Sequence, residues 1–274
     1  MATNVNIPNK QISAWDRVMI ARHPNRPKAS DYIPLLFDGF VQLHGDRNFR
    51  DDQAIIGGIA YFEHIAVTVL AQNKGKNLEE NLRTNFGMMQ PEGYRKAMRL
   101  AKQAEKFNRP IITLVDTPGA FPGKGAEERG QASAIAECLK MFATIKVPVI
   151  AIVLSEGGSG GALAFSVANK IFMLENAVYS ILSPEGFASI LYKDESKAIE
   201  VAKIMKITAY DLEKVGFIDQ IIKEPHGGAQ QDMTFVVHSL IQSIKESLDD
   251  LIKKKPDLLI KERIAKFRSI GVIE

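Results

Sequence analysis

Glu156-Gly157-Gly158-Ser159-Gly160-Gly161-Ala162-Leu163 joins a continuous apolar run, residues 147–154, to a segment, residues 163–168, that suits the start of a helix. The run has the length and β-branched content of a buried strand. Four glycines at such a joint let other backbone come close and permit positive φ. The first N–H groups of a helix have no intrahelical acceptor and point outward. The stretch therefore predicts an oxyanion site made of main-chain donors instead of charged side chains.

The surrounding pattern extends this unit. Residues 111–115 read as a second buried strand, followed by a Gly/Pro loop over 116–125, a helix over 126–142 and then the 147–154 strand. A helix is predicted over 91–107, with Pro91 in its first turn and Tyr94, Ala97, Met98, Ala101, Ala104 and Phe107 on one face. Residues 54–60 and 65–71 read as a β-hairpin or adjacent strands, and 31–43 as a helix. Short strands are predicted at 170–174, 178–182 and 217–222. Residues 232–268 read as two C-terminal helices of mixed charge separated by Pro256. Residues 1–30 are polar, contain Pro8, Pro24 and Pro27, and read as an N-terminal arm laid on a surface, leaving 31–274 as one domain. Strands alternating with helices imply an α/β fold with parallel pairing and right-handed crossovers. In such sheets function lies at the carboxyl ends of strands. The loops at 116–125 and 157–161 are expected to face one cleft.

Composition narrows the classes. The 274 residues carry 35 Lys/Arg and 32 Asp/Glu, a net charge of +3, which gives no strong electrostatic reason to expect nucleic acid. The single cysteine, Cys138, excludes an internal disulfide and a multi-cysteine zinc site, so no metal is assigned to this chain. Its helical setting predicts a packed thiol. Residues 1–10 lack the apolar centre of a signal peptide, and no apolar run approaches the roughly 20 residues that span a bilayer. A soluble, cytoplasmic protein without membrane contact is expected.

Several motifs compete for the chemistry. Gly157-x-Ser159-x-Gly161 matches the nucleophile elbow of serine hydrolases, giving the alternative reading of a hydrolase or protease using Ser159. A triad needs a positioned histidine, and of the five present only His226 sits in a suitably late loop. Asp116-Thr117-Pro118-Gly119 resembles an element of nucleotide hydrolases, but no phosphate loop precedes it. Gln72-Asn73-Lys74-Gly75-Lys76 and Arg83-Thr84-Asn85-Phe86-Gly87 read as solvated loop charge or as contacts for phosphates or a carboxylate. Glu127-Glu128 suits a helix start and Lys253-Lys254-Lys255 a helix end.

Arg22-His23-Pro24-x-Arg26-Pro27, Leu43-His44-Gly45-Asp46-Arg47, Asn85-Phe86-Gly87-Met88, Pro91-Glu92-Gly93-Tyr94-Arg95-Lys96-Ala97, Asp116-Thr117-Pro118-Gly119-Ala120-Phe121-Pro122-Gly123, Gly125-Ala126-Glu127-Glu128-Arg129-Gly130-Gln131, the 156–163 stretch, Ser183-Pro184-Glu185-Gly186 and Glu224-Pro225-x-Gly227-Gly228-Ala229 stand in order. Together they resemble the alpha subunits of bacterial acetyl-coenzyme A carboxylase carboxyltransferase, over most of the chain. Phe121 stands where many relatives have Tyr, and Phe187 and Tyr192 stand where Cys and Trp are expected. These departures argue against a required thiol or phenol there.

The resemblance implies a crotonase-type spiral of β-β-α units and transfer of a carboxyl group from carboxybiotin to acetyl-coenzyme A, giving malonyl-coenzyme A for fatty-acid synthesis. It implies a beta-subunit partner in an α2β2 heterotetramer, with zinc only in the beta subunit. Biotin would arrive on a biotin carboxyl carrier protein, loaded by biotin carboxylase. Loss of the carboxyl group as carbon dioxide leaves charge on the ureido oxygen, and the acetyl thioester passes through an enolate. By resemblance this subunit holds the biotin oxyanion. The backbone N–H groups of Gly160 and Gly161 are expected to do so, with Ala162 as alternative donor. Gly157 and Gly158 are expected to line the slot, and the loop Gly119, Ala120 and Phe121 to form its opposite wall. A side chain at position 160 or 161 is expected to close it.

Overall fold

The computed structural model describes residues 12–271. One mixed sheet organises them. Its strands are β1 (Asp38–Gln42), β2 (Ile55–Phe62), β3 (Ile65–Gln72), β4 (Ile111–Thr117), β5 (Val149–Gly158), β6 (Lys170–Leu174), β7 (Val178–Ser180) and β8 (Gln220–Ile222). The spatial order is β1-β2-β3-β4-β5-β6-β8, with β7 also paired to β5. The β1-β2-β3 part is antiparallel and the remainder parallel. The predicted hairpin is β2–β3, closing with Phe62 opposite Ile65.

Among the described residues twelve α-helices pack around or beside this sheet: α1 (Ala14–Ala21), α2 (Ala29–Leu36), α3 (Leu78–Arg83), α4 (Pro91–Lys106), α5 (Lys124–Glu128), α6 (Gln131–Thr144), α7 (Ser159–Ser166), α8 (Pro184–Tyr192), α9 (Ala198–Ile204), α10 (Ala209–Lys214), α11 (Met233–Leu251) and α12 (Pro256–Ser269). Every residue of β4 is buried, as a parallel strand covered on both faces requires. Helix α4 follows its expected bounds closely, with Pro91 at its first position. The two C-terminal helices also stand where expected. Arg263 of α12 is fully buried and donates to the carbonyls of Phe142, Ile145 and Val147, which ties the tail to the entry of β5. Among the described residues no helix is long and apolar enough to cross a membrane.

The structure differs from the sequence reading in several places. The helix expected over 31–43 stops at Leu36; Phe37 is extended, Gly39 has φ +59°, and the chain turns into edge strand β1. The helix expected over 126–142 is split by Gly130 at φ +82° into α5 and α6. Helices α8, α9 and α10 fill a stretch that periodicity left unassigned. The N-terminal arm is more than a surface strap: residues 1–11 lie outside the described residues, but α1 buries Val18, Ile20 and Ala21, and Arg26 beyond it is 1% exposed.

Arg26 has a specific task. Strand β5 bulges against β4, since Val115 faces Val153 while Thr117 faces Gly157. A bulge disrupts the ladder locally. The Leu154 carbonyl at this bulge accepts from Arg26 Nη2 at 2.7 Å and Nε at 3.1 Å, and Ser155 Oγ accepts from Nε at 3.1 Å. The same guanidinium pairs with the buried Glu224 carboxylate, which in turn accepts from the N–H of Ala229 and from Asn176 Nδ2. The first and last of the quoted motifs thus meet at the bulge that aims β5 at its glycines.

Candidate active site

Strand β5 runs through Gly157 and Gly158, and α7 begins at the next residue, so the glycine stretch is a sharp strand-to-helix turn with no free loop. None of Gly157, Gly158, Gly160 and Gly161 adopts positive φ; the residue that does is Ser159, at +52°. The glycines answer to crowding instead. A Cβ on Gly157 would lie 2.1 Å from the Tyr179 ring, one on Gly158 would lie 2.1 Å from the Pro118 carbonyl oxygen, and one on Gly161 would lie 2.8 Å from Ala120 N. Gly160 is the exception: its Cβ would meet only Ile135 Cγ2, at an ordinary 3.5 Å. A Cβ at 160 thus has room within the protein, with Ile135 of α6 in ordinary contact, whereas one at 161 does not.

These contacts bring the two predicted loops together. The Gly119-Ala120-Phe121 wall is pinned from within. The Gly119 N–H donates to Thr117 Oγ1 at 3.1 Å, Thr117 Oγ1 donates to the Gly119 carbonyl at 2.7 Å, and the Phe121 N–H donates to the Met89 carbonyl at 3.0 Å. Gln131 Nε2 donates to the carbonyls of Met89 and Phe121. Between these fixed groups the Ala120 N–H has no acceptor among the described residues.

The first turn of α7 supplies further donors. Its N-cap is Gly158, with no side chain capping it. The N-cap carbonyl accepts the first intrahelical bond, which comes from the N–H of Ala162. Ala162 is thereby removed as a donor, a correction to its expected role. The N–H groups of Gly160 and Gly161 lack an intrahelical acceptor, and the helix dipole favours negative charge beside them. Sequence reasoning placed Ala120 only in the opposite wall; that its N–H lacks an acceptor among the described residues is decided by packing, not by the order of the chain.

A cavity of about 580 Å³ opens beside this turn, lined by Ser159, Gly160, Leu163, Tyr179, Phe187 and Phe217 among others. Small-molecule sites span roughly 300–1,000 Å³ and are mostly apolar with a few polar anchors. Ser159 Oγ makes no hydrogen bond among the described residues, and no histidine lines the cavity. His226, the candidate base of the hydrolase reading, is exposed on its loop. The geometry offers main-chain donors but no base for a serine nucleophile.

Under the turn lies a buried ionic cluster. Lys74 Nζ is 2.8 Å from Asp116 Oδ1 and 2.8 Å from Glu156 Oε2, and Arg22 bridges Glu156 and Glu185 at 2.7 and 2.6 Å. Burial opposes the Lys74 charge, but Asp116 and Glu156 outweigh it and raise its pKa. Burial likewise opposes the Glu156 charge, but Lys74 and Arg22 overcome it and lower that carboxyl to about 2. Lys74 is thus neither solvated nor a free phosphate contact; it clamps the ends of β4 and β5. Cys138 is fully buried, and burial pushes its thiol far up, as a packed cysteine should show.

Comparison with known proteins gives the family and the fold. Residues 3–271 match the family model described as acetyl co-enzyme A carboxylase carboxyltransferase-like. The chain is 55% identical over 263 residues to the acetyl-coenzyme A carboxylase carboxyl transferase subunit alpha of Clostridium acetobutylicum, covering 96% of both chains. It is 58% identical over 257 residues to the subunit of the same name from Clostridium perfringens, covering 94% of this chain and 95% of that one. In fold it is similar to the transcarboxylase 12S core, with TM-score 0.70 and 20% identity, covering 90% of this chain and 46% of the transcarboxylase chain. The architecture is the crotonase-type one of the carboxyltransferases, and the chain belongs to the acetyl-coenzyme A carboxylase carboxyltransferase alpha-subunit family.

Proposed function

We propose that this chain serves carboxyl transfer from carboxybiotin to acetyl-coenzyme A, giving malonyl-coenzyme A, and that the N–H groups of Gly160 and Gly161 face the ureido oxygen of the biotin ring. Carboxybiotin supplies a labile carboxyl group whose departure leaves negative charge on that oxygen. Fixed N–H donors stabilise such charge more in the transition state than in the ground state, which is what accelerates the step. Ala120, whose nitrogen lies 2.8 Å from where a Gly161 Cβ would stand and whose N–H has no acceptor among the described residues, supports a third donor in this site. The largely apolar cavity beside Gly160 suits a fused bicyclic ring.

The remaining parts of the proposal are supported by family membership alone. The thioester oxyanion falls to a beta subunit, which also carries the zinc, in an α2β2 assembly. Biotin arrives on a carrier protein loaded by biotin carboxylase, and the complex works in the cytoplasm. The observation that carries the proposal is the strand-to-helix turn at 158–159, with N–H groups on Gly160 and Gly161 that have no acceptor among the described residues, beside a ring-sized cavity. The test is co-expression with a zinc-ribbon beta subunit and a reverse assay from malonyl-coenzyme A to free biotin. The pair is expected to be active and each subunit alone inactive. Full activity in the beta subunit alone would reduce this chain to a scaffold.

A further inference from the structure

We propose that Gln72 is a positioning residue for carboxyl transfer: its carboxamide holds the first turn of α7 and the end of β4 in one fixed relation, and so aims the Gly160 and Gly161 N–H groups. This rests on the site assignment made above and adds a residue to it.

Gln72 is the last residue of β3 and is fully buried. Strand β4 lies between β3 and β5, yet the Gln72 side chain reaches past it. Its Nε2 donates to the Gly161 carbonyl at 2.8 Å, and its Oε1 accepts from the Asp116 N–H at 3.1 Å. One end of the amide therefore grips the turn that carries the donors. The other grips the residue that leads into the Thr117–Phe121 wall. Burying a carboxamide costs free energy unless both ends are satisfied. Here both partners are main-chain atoms of the two site walls. Leu or Met would fill the volume and grip neither. The Gly161 carbonyl, with two lone pairs, can take this bond in addition to its helical one.

The chemistry of the amide suggests a discriminating variant. In Gln72→Glu the neutral acid can reproduce both contacts, its O–H donating to the Gly161 carbonyl and its C=O accepting from the Asp116 N–H. The carboxylate has no donor and sets a charge against the Gly161 oxygen. The charged groups of the neighbouring cluster are Asp116, whose N–H is held, Lys74 two residues on, Glu156 across from it, and the buried cations Arg26 and Lys28 that act on Asp116. Burial and the two carboxylates favour the neutral form, and Lys74, Lys28 and Arg26 oppose it.

The experiment uses the complex with the beta subunit and measures kcat and KM for malonyl-coenzyme A in the reverse assay, from pH 6 to 8, relative to the parent at each pH. Gln72→Leu should lower kcat about tenfold or more at every pH, with KM within about twofold, since small misplacements of catalytic groups are costly. Gln72→Glu should lose as much at pH 8 and regain most of it at pH 6. Parental kcat in Gln72→Leu, or a Gln72→Glu defect that does not vary with pH, would overturn the proposal. A loss that follows only the fraction of assembled complex would do the same. Gly161→Ala runs alongside: if it keeps full kcat, the site assignment itself fails. If it is inactive while both Gln72 variants are normal, only the role of Gln72 fails.

Discussion

The ammonium of Lys74 lies 2.8 Å from Oε2 of Glu156, the residue immediately ahead of the glycine turn. Both side chains are largely buried, and Lys74 also holds Asp116 at the end of the neighbouring strand. Removing one partner of such a pair leaves a buried charge without compensation and typically costs about 3–5 kcal/mol. Lys74→Met is expected to lose stability on that scale near neutral pH. The Glu156 carboxyl titrates near 2 in the folded chain, below its ordinary range around 4.3. Its contribution is therefore full above that ordinary value and is lost as pH falls toward 2. Denaturant midpoints of parent and Lys74→Met should hold their gap above about pH 4.3 and converge as pH falls from there toward 2. A gap that stays constant over this range would separate Lys74 from Glu156.

The adjacent glycines should respond differently to a methyl group. At Gly161 a Cβ falls 2.8 Å from backbone of the 119–120 peptide, so the wall must move. Loss of one oxyanion donor costs roughly 100- to 1,000-fold in kcat, and Gly161→Ala is expected to reach that range. Gly160→Ala meets only Ile135 at 3.5 Å and should stay within about tenfold of the parent, because its N–H survives. Equal kcat losses in the two variants would contradict this division.

Ser159→Ala should keep most of the carboxyl-transfer activity. Ser159 Oγ makes no hydrogen bond among the described residues, and no histidine lines its cavity. The parent should also resist covalent labelling by a fluorophosphonate. Stoichiometric labelling at Ser159 would revive the hydrolase reading.

Arg26 and Glu224 form a fully buried ion pair. Arg26→Met alone should destabilise the chain by about 3–5 kcal/mol, while the double variant Arg26→Met/Glu224→Leu should recover part of that loss, because it leaves no lone buried charge. Some loss should remain, since Arg26 also satisfies the Leu154 carbonyl at the β5 bulge. Thermal melts of the three chains read the coupling, and strictly additive losses would rule it out.

Elements with a strong local pattern were legible in advance. The β2–β3 hairpin, α4 behind Pro91, β4, β5 and the two C-terminal helices all announce themselves by apolar period, length or proline position. The helix expected over 31–43 was not, because the choice between helix and edge strand beyond Phe37 depends on pairing with β2. Lys74 was equally opaque. Among polar residues and glycine it reads as solvent-facing, yet Asp116 and Glu156, far along the chain, draw it inside.

The sequence by itself determined the class of fold, the family and the location of the glycine turn, since these depend on residue order and local periodicity. Only the tertiary structure decided which backbone groups are free there. It left the Ala120 N–H without an acceptor among the described residues and put Gln72 past β4 to reach Gly161. Donor availability is a property of where every neighbouring carbonyl ends up, and for groups separated by tens of residues that is settled by packing.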